Sequence, residues 1–176
     1  QDLGIARLCQ ALAPTLPVHA STQMTVSSPE GAAIARQLGV TRVILPRELS
    51  IEEIRRFKGC SDLEIECFVH GALCFAYSGQ CLMSNFAGRR SANRGICAQN
   101  CRFDFTASPV EPAGGAEALT AISSGGFRPL PVFKSRSASQ LLSMKDLAAF
   151  ESVAELAGAG VDSFKIEGRL KGPEYV

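Results

Sequence analysis

The chain has 176 residues, 46% hydrophobic and 20% charged, with a formal net charge of +1. That length and apolar content suffice to bury a substantial core, and near-neutrality excludes a globally polybasic protein, so any nucleic-acid contact must be a local patch. No run approaches about eighteen apolar residues and no signal peptide is visible, so no membrane span is expected. The cysteines number seven. An odd count without a secretory feature argues for free thiols in a reducing compartment, the cytoplasm.

In chain order, Asp2 to Leu12 reads as a helix with Leu3, Ile5, Leu8 and Leu12 near one face, stopped by Pro14. Since the first residue is Gln1 and a helix begins at once, the expectation is a fragment whose beginning lies upstream. Val18 to Ala20 follows Pro17 as a short buried strand, with His19, Ser21, Thr22 and Gln23 emerging at its carboxyl end. Ser28 is placed to cap the next helix, Pro29 to open its first turn and Gly39 to close it. Thr41 to Leu45 is β-branched and apolar, as a central parallel strand should be, and Pro46-Arg47-Glu48 follows. Ser50 and Glu53 form a capping box for a helix carrying Ile51, Ile54 and Phe57, ended by Gly59.

Leu63 to Val69 is the third strand. Beyond Asp104, Pro109, Pro112, Pro129 and Pro131, with Gly114, Gly115, Gly125 and Gly126, prevent any long helix. An irregular insertion over 104–140 is expected, with two short strands near Phe127 to Phe133. Ser143 then caps a helix through about Leu156, and Val161 to Ile166 is the fourth strand. This alternation predicts an α/β fold, either half of a parallel (β/α) barrel or an open doubly wound sheet. Segments 1–103 and 141–176 then form one domain around the insertion.

Within 74–101, cysteines stand at Cys74, Cys81, Cys97 and Cys101, with six, fifteen and three residues between successive members. Thiolates so placed on a Gly-, Ser- and Asn-rich loop suit an iron–sulfur cluster or a structural zinc. Only one pair is tight, which is unlike the usual two tight pairs of zinc. Arg89, Arg90, Arg94 and Arg102 accompany them without a single acid. Such cations offset an anionic cluster and leave positive charge for an anionic substrate.

Other candidates lie at strand ends. His19 and His70 are the only histidines, both near the carboxyl rim where α/β folds collect ligands. Glu66, Lys165 and Glu167 are charges within apolar strands, and either form an internal salt-bridge layer or line a pocket. Arg47 and Arg169, like Arg89 and Arg94, can grip a carboxylate or phosphate. Cys9, Cys60 and Cys67 fit no ligand spacing, and Cys67 reads as core.

The run Glu66-Cys67-Phe68-Val69-His70-Gly71-Ala72-Leu73-Cys74 through Cys81-Leu82-Met83-Ser84 closely resembles the signature of the U32 family, the so-called collagenase-like peptidases. Gly88-Arg89-Arg90-Ser91-Ala92-Asn93-Arg94-Gly95, with Cys97-Ala98-Gln99 and Cys101-Arg102, is similar to the family's second block. His19 to Met24, Ser143 to Leu147 and Lys165 to Arg169 match as well. Small departures are Gln80, where Arg is common, and Ala148, where some relatives carry Cys.

The resemblance implies a TIM-like barrel, of which about 250 residues are needed, so this chain would supply the later part. It also implies an iron–sulfur cluster of the 4Fe–4S type on Cys74, Cys81, Cys97 and Cys101. Members resembling the chain hydroxylate pyrimidines of tRNA or rRNA with prephenate, a small dicarboxylate, as cosubstrate; others hydroxylate the ubiquinone ring without oxygen. The family name implies a peptidase, yet the sequence shows no serine elbow, no HExxH and no Cys–His dyad. RNA hydroxylation is the favoured expectation, and a zinc-stapled RNA-binding module is the non-enzymatic alternative.

Overall fold

The structure is a computed structural model and describes residues 1–105, 140 and 142–176. The chain divides into two compact units, Gln1–Asn100 with Met144–Val176, and Cys101–Ser143. The strands expected near Phe127 to Phe133 lie outside the described residues. In the second unit the Ser143 amide donates to the Gln140 carbonyl at 2.9 Å.

The first unit is mixed α/β. Its strands are β1 (Val18–Ala20), β2 (Val40–Ile44), β3 (Glu64–Gly71), β4 (Leu147–Ala148) and β5 (Ser163–Glu167). Its helices are α1 (Leu3–Leu12), α2 (Pro29–Gln37), α3 (Ile51–Gly59), α4 (Met83–Gly88) and α5 (Val153–Gly158). β1, β2, β3 and β5 pair in parallel in that spatial order, whereas β4 runs antiparallel to β3. Glu66 registers with Ile44 and Ser163, and His70 with Ala148 and Ile166. An edge holds one partner per residue, so β2 and β4 share one edge of β3 and β5 takes the other.

Local chemistry sets the helix starts. The Asp2 carboxylate accepts from the Ile5 amide at 2.9 Å, and the Ser28 hydroxyl accepts from Gly31 at 3.2 Å. Before α3 the capping box closes both ways: the Glu53 amide reaches Ser50 Oγ at 3.3 Å and Glu53 Oε2 accepts from the Ser50 amide at 2.8 Å. Ala32 and Ala35 of α2, Ile54 and Phe57 of α3 and Leu156 of α5 pack against Ala20, Val43, Leu45, Ile65 and Cys67 of the sheet. Helices therefore cover one sheet face, an arrangement compatible with part of a barrel. α1 contributes Ala6 alone to the buried set, and its Leu3, Ile5, Leu8 and Leu12 are exposed.

Several boundaries differ from expectation. The helix expected from Ser143 does not start there: Leu147 and Ala148 extend as β4 against Gly71 and His70. Only after a single 3-10 turn at Phe150–Ser152 does α5 begin. Strand pairing to β3 outweighs the local cap signal, since helix propensity is a weak prior against tertiary contacts. β3 runs past Val69 to Gly71 because β4 and β5 both pair with its end. At Gly71 (φ +106°) a Cβ would collide with the Glu167 carbonyl of β5, so only glycine permits this approach. β5 starts at Ser163, and Val161, expected in the strand, packs in the core before it. Among the described residues no helix is long and apolar enough to cross a membrane.

Candidate functional site

Strand alternation sends Val43, Ile65 and Cys67 to the helix-covered core and Arg42, Glu64, Glu66 and Phe68 to the opposite face. On that face charges form a lattice across β2, β3 and β5. Arg42 Nη2 lies 2.7 Å from Glu64 and Arg42 Nη1 lies 3.2 Å from Glu66 Oε2. Lys165 Nζ lies 3.2 Å from Glu66 Oε1, and Ser163 Oγ donates to Oε2 at 3.4 Å. Burial would raise the pKa of Glu66, but the hydrogen bond and charge of Lys165, then those of Arg42, outweigh it and hold the carboxyl below its ordinary value. Glu66 is thus a neutralised anion inside the sheet.

The carboxyl rim carries a second cluster. Arg47, just after β2, stacks its guanidinium 3.6 Å above the Phe68 ring, while Lys165 stands 5.5 Å from the same centroid. Arg47 Nη2 lies 3.9 Å from Glu167 at the end of β5. Burial lowers the Arg47 pKa, opposed by the charges of Cys74, Glu167 and Glu48. Glu167 Oε1 also accepts from the Arg169 amide at 3.0 Å, and Arg169 Nη1 donates to the Cys97 carbonyl at 3.4 Å. Arg47, Glu167 and Arg169 therefore join the sheet end to the Cys97 part of the cysteine loop.

The remaining candidates are dispersed. His19 is exposed on β1 in register with Arg42. His70 lies within β3 and donates from Nε2 to the Tyr175 carbonyl at 3.0 Å, with its ring 4.8 Å from the Tyr175 ring. Arg89, in the left-handed region at φ +54°, and Arg94 on a 3-10 turn are exposed. Cys67 is buried, and burial with the Glu66 charge pushes its thiol up to about 12, so it stays protonated.

The cysteine loop is also fastened through Ser78 and Ser84. Ser78 is buried between Cys74 and Cys81; its amide and hydroxyl donate to the Glu48 carboxylate at 2.6 and 3.0 Å, and its carbonyl accepts from Thr25 Oγ1 at 3.0 Å. Gly79 (φ +81°) packs so closely on this turn that a Cβ would sit 2.9 Å from the Gln23 carbonyl. The second point is Ser84, near the start of α4 and 1% exposed. Its hydroxyl lies 3.1 Å from the Ala98 amide, 2.9 Å from Asn100 Oδ1 and 3.7 Å from Cys97 Sγ. The Gln99 amide also donates to Cys97 Sγ at 3.2 Å, and Gln99 itself has a left-handed backbone (φ +55°).

The four thiol side chains of Cys74, Cys81, Cys97 and Cys101 suit an iron–sulfur cluster or zinc in their chemistry. Among the described residues no three His, Cys, Asp or Glu side chains are grouped so as to hold a metal ion. Cys101 belongs to the second unit.

Sequence reading missed Arg42, Phe68, Glu48, Ser78 and Ser84. Arg42 carried a signal, a charge in an otherwise apolar strand like that of Glu66. Nothing local distinguishes Glu48 or Ser84 from solvated residues, because their role comes from partners 30 and 13 to 16 positions away.

A profile described as peptidase family U32 matches residues 1–176. The chain belongs to peptidase family U32. It is 39% identical over 175 residues to tRNA hydroxylation protein P1 of Bacillus subtilis, covering 99% of this chain and 38% of that protein. A 23S rRNA 5-hydroxycytidine synthase of Escherichia coli is 40% identical over 176 residues, all of this chain and 23% of the relative. A collagenase of Porphyromonas gingivalis is 35% identical over 170 residues, 90% of this chain and 36% of the relative. This U32 chain thus spans less than half the length of these relatives. No solved structure matches it.

Proposed function

We propose that this U32 chain is the cysteine-loop part of an iron–sulfur enzyme that hydroxylates pyrimidines in tRNA or rRNA. The observation carrying this reading is the similarity, across essentially the whole chain, to two proteins named for RNA hydroxylation. The thiols of Cys74, Cys81, Cys97 and Cys101 would hold the cluster, a 4Fe–4S type, which when bound supplies electron transfer at the substrate. Arg47 and Arg169 tie the sheet rim to that loop and offer guanidiniums to the carboxylates of prephenate, the proposed cosubstrate. Exposed Arg89 and Arg94 are the proposed contacts to RNA phosphate. In the complete protein β1, β2, β3 and β5 would form part of a parallel barrel, acting in the cytoplasm.

The test is to supply the complete protein to a bacterial strain lacking its RNA-hydroxylating relative and measure hydroxylated pyrimidine in digested RNA by mass spectrometry. Restoration by wild type and its loss in Cys97→Ala at equal protein level are expected. Absence of restoration by soluble, cluster-loaded wild type contradicts the reading. The collagenase name of the Porphyromonas relative favours a second reading, a peptidase; gelatin cleavage by the same preparation, unaffected by Cys97→Ala, would support it instead.

A further inference from the structure

We infer that Phe86, Arg89 and Arg90 form one platform for unpaired RNA, in which the Phe86 ring stacks on an open base and the guanidiniums hold the flanking phosphates. The inference rests on the RNA reading and deepens it, from contact with RNA phosphate to recognition of a single-stranded segment.

The orientation of α4 follows from its anchored side. Ser84 is 1% exposed and bonded to Ala98 and Asn100. Successive helical residues turn by about 100°, so Phe86, two positions on, stands about 200° round the axis and faces outward. Phe86 is 83% exposed. A single exposed apolar residue needs no explanation. This one is followed three and four positions later by Arg89 and Arg90, both exposed, and residues so spaced are neighbours on one side of a helix.

The backbone fixes both arginines. At the end of α4 the Arg89 amide donates to the Asn85 carbonyl at 2.9 Å and the Arg90 amide to the Ser84 carbonyl at 3.1 Å, the Schellman pattern. That pattern puts Arg89 at φ +54°, a left-handed conformation that suits glycine and costs energy for any residue with a Cβ. Gly88 stands one position too early to relieve it. An arginine kept where glycine is unstrained is strain that a function of its guanidinium accounts for. Arg90 is held differently: its Nε donates to the Ile96 carbonyl at 3.1 Å, which steadies the side chain and leaves its Nη donors for an anion.

The charge and the ring together select the occupant. Residues 74–100 include three arginines and no acid, so the segment attracts a polyanion and offers it no carboxylate repulsion. A surface phenylalanine stacks only on a base whose face is free, and stacking tolerates any base. Duplex RNA hides those faces, and its deep, narrow major groove excludes side chains. One ring on a six-residue helix is too small an apolar face to bury in a membrane surface.

The experiment uses the complete protein, purified anaerobically, as wild type, Phe86→Ala, Phe86→Trp and Arg89→Gly. Fluorescence anisotropy measures binding to labelled oligouridine, which is unpaired, and to the same strand annealed to oligoadenosine; circular dichroism gives Tm. Phe86→Ala should bind oligouridine about tenfold more weakly, with duplex binding and Tm unchanged. Phe86→Trp should restore the affinity. Arg89→Gly should weaken binding and flatten the dependence of log affinity on log salt by about 0.7, one phosphate contact, without lowering Tm. Wild-type affinity for oligouridine in Phe86→Ala overturns the inference, as does equal loss on the duplex. Should Phe86→Ala lower Tm, Phe86→Trp decides: wild-type affinity supports stacking, and weak binding at wild-type Tm overturns it. Phe86-dependent binding to phosphatidylserine vesicles without binding to oligouridine also overturns it. If hydroxylation is not restored in cells but oligouridine binding depends on Phe86, the hydroxylase reading falls and the platform stands; restored hydroxylation with Phe86-independent binding removes the platform alone.

Discussion

Replacing Glu66 by Gln separates the two roles open to the charged sheet face. The carboxylate is 11% exposed and contacts Lys165 and Arg42, each at 3.2 Å, and Ser163 at 3.4 Å. Breaking a fully buried ion pair costs about 3–5 kcal/mol and an exposed one about 0–1 kcal/mol. Here Arg42 retains Glu64 and Lys165 is 41% exposed, so water takes over part of the loss. Glu66→Gln should therefore destabilise by about 2 kcal/mol, a fall in Tm of about 4–8 °C for a protein of this size. Differential scanning calorimetry of the complete protein reads this directly. Because the folded carboxyl titrates below its unfolded value, the stabilisation is present above about pH 4.3 and is lost as pH falls through the folded pKa. In the Glu66→Gln background, Lys165→Met should cost less than in wild type. An unchanged Tm together with lost activity would refute the salt-bridge layer and make Glu66 a pocket residue.

Further outcomes are equally specific. Asp162 accepts from Lys58 Nζ at 2.7 Å and from the Ile65 amide at 2.8 Å; these outweigh its burial and hold its carboxyl below the usual value. Asp162→Ala should cost about 1–2 kcal/mol in urea denaturation at neutral pH, with the difference from wild type fading as pH falls through the lowered folded pKa. Phe57→Ala, at a core position 1% exposed, should cost about 3–5 kcal/mol. Gly79→Ala should cost about 1–3 kcal/mol, measured by thermal unfolding, because of its positive φ and the close Gln23 carbonyl. Cys67→Ser should leave metal content unchanged while lowering Tm, since its thiol is buried in the core; iron loss there would show that the ligand set is wrongly chosen.

Local signals carried much of the fold. Asp2, Ser28 and the Ser50/Glu53 box start their helices where short-range hydrogen bonding dictates, and β1 has its expected bounds. Elements decided by distant partners were less legible. β4 exists because His70 and Gly71 offer it an edge, which no window around Ser143 reveals. Glu66 and Lys165 were visible as charges in apolar strands, but the pairing of Glu66 with both Lys165 and Arg42 required the register of β2, β3 and β5. Spacing exposed the cysteine loop, whereas its fastening by Glu48 and Ser84 depends on chain segments brought together by folding.

The proposed function requires an iron–sulfur cluster on Cys74, Cys81, Cys97 and Cys101. Metal and acid-labile sulfide analysis of the complete, anaerobically purified protein tests it most directly, with Cys97→Ala alongside. About four irons and four sulfides per chain are expected, with absorption that bleaches under dithionite and is lost in Cys97→Ala. About one zinc per chain and no sulfide would contradict it and make the loop a structural staple.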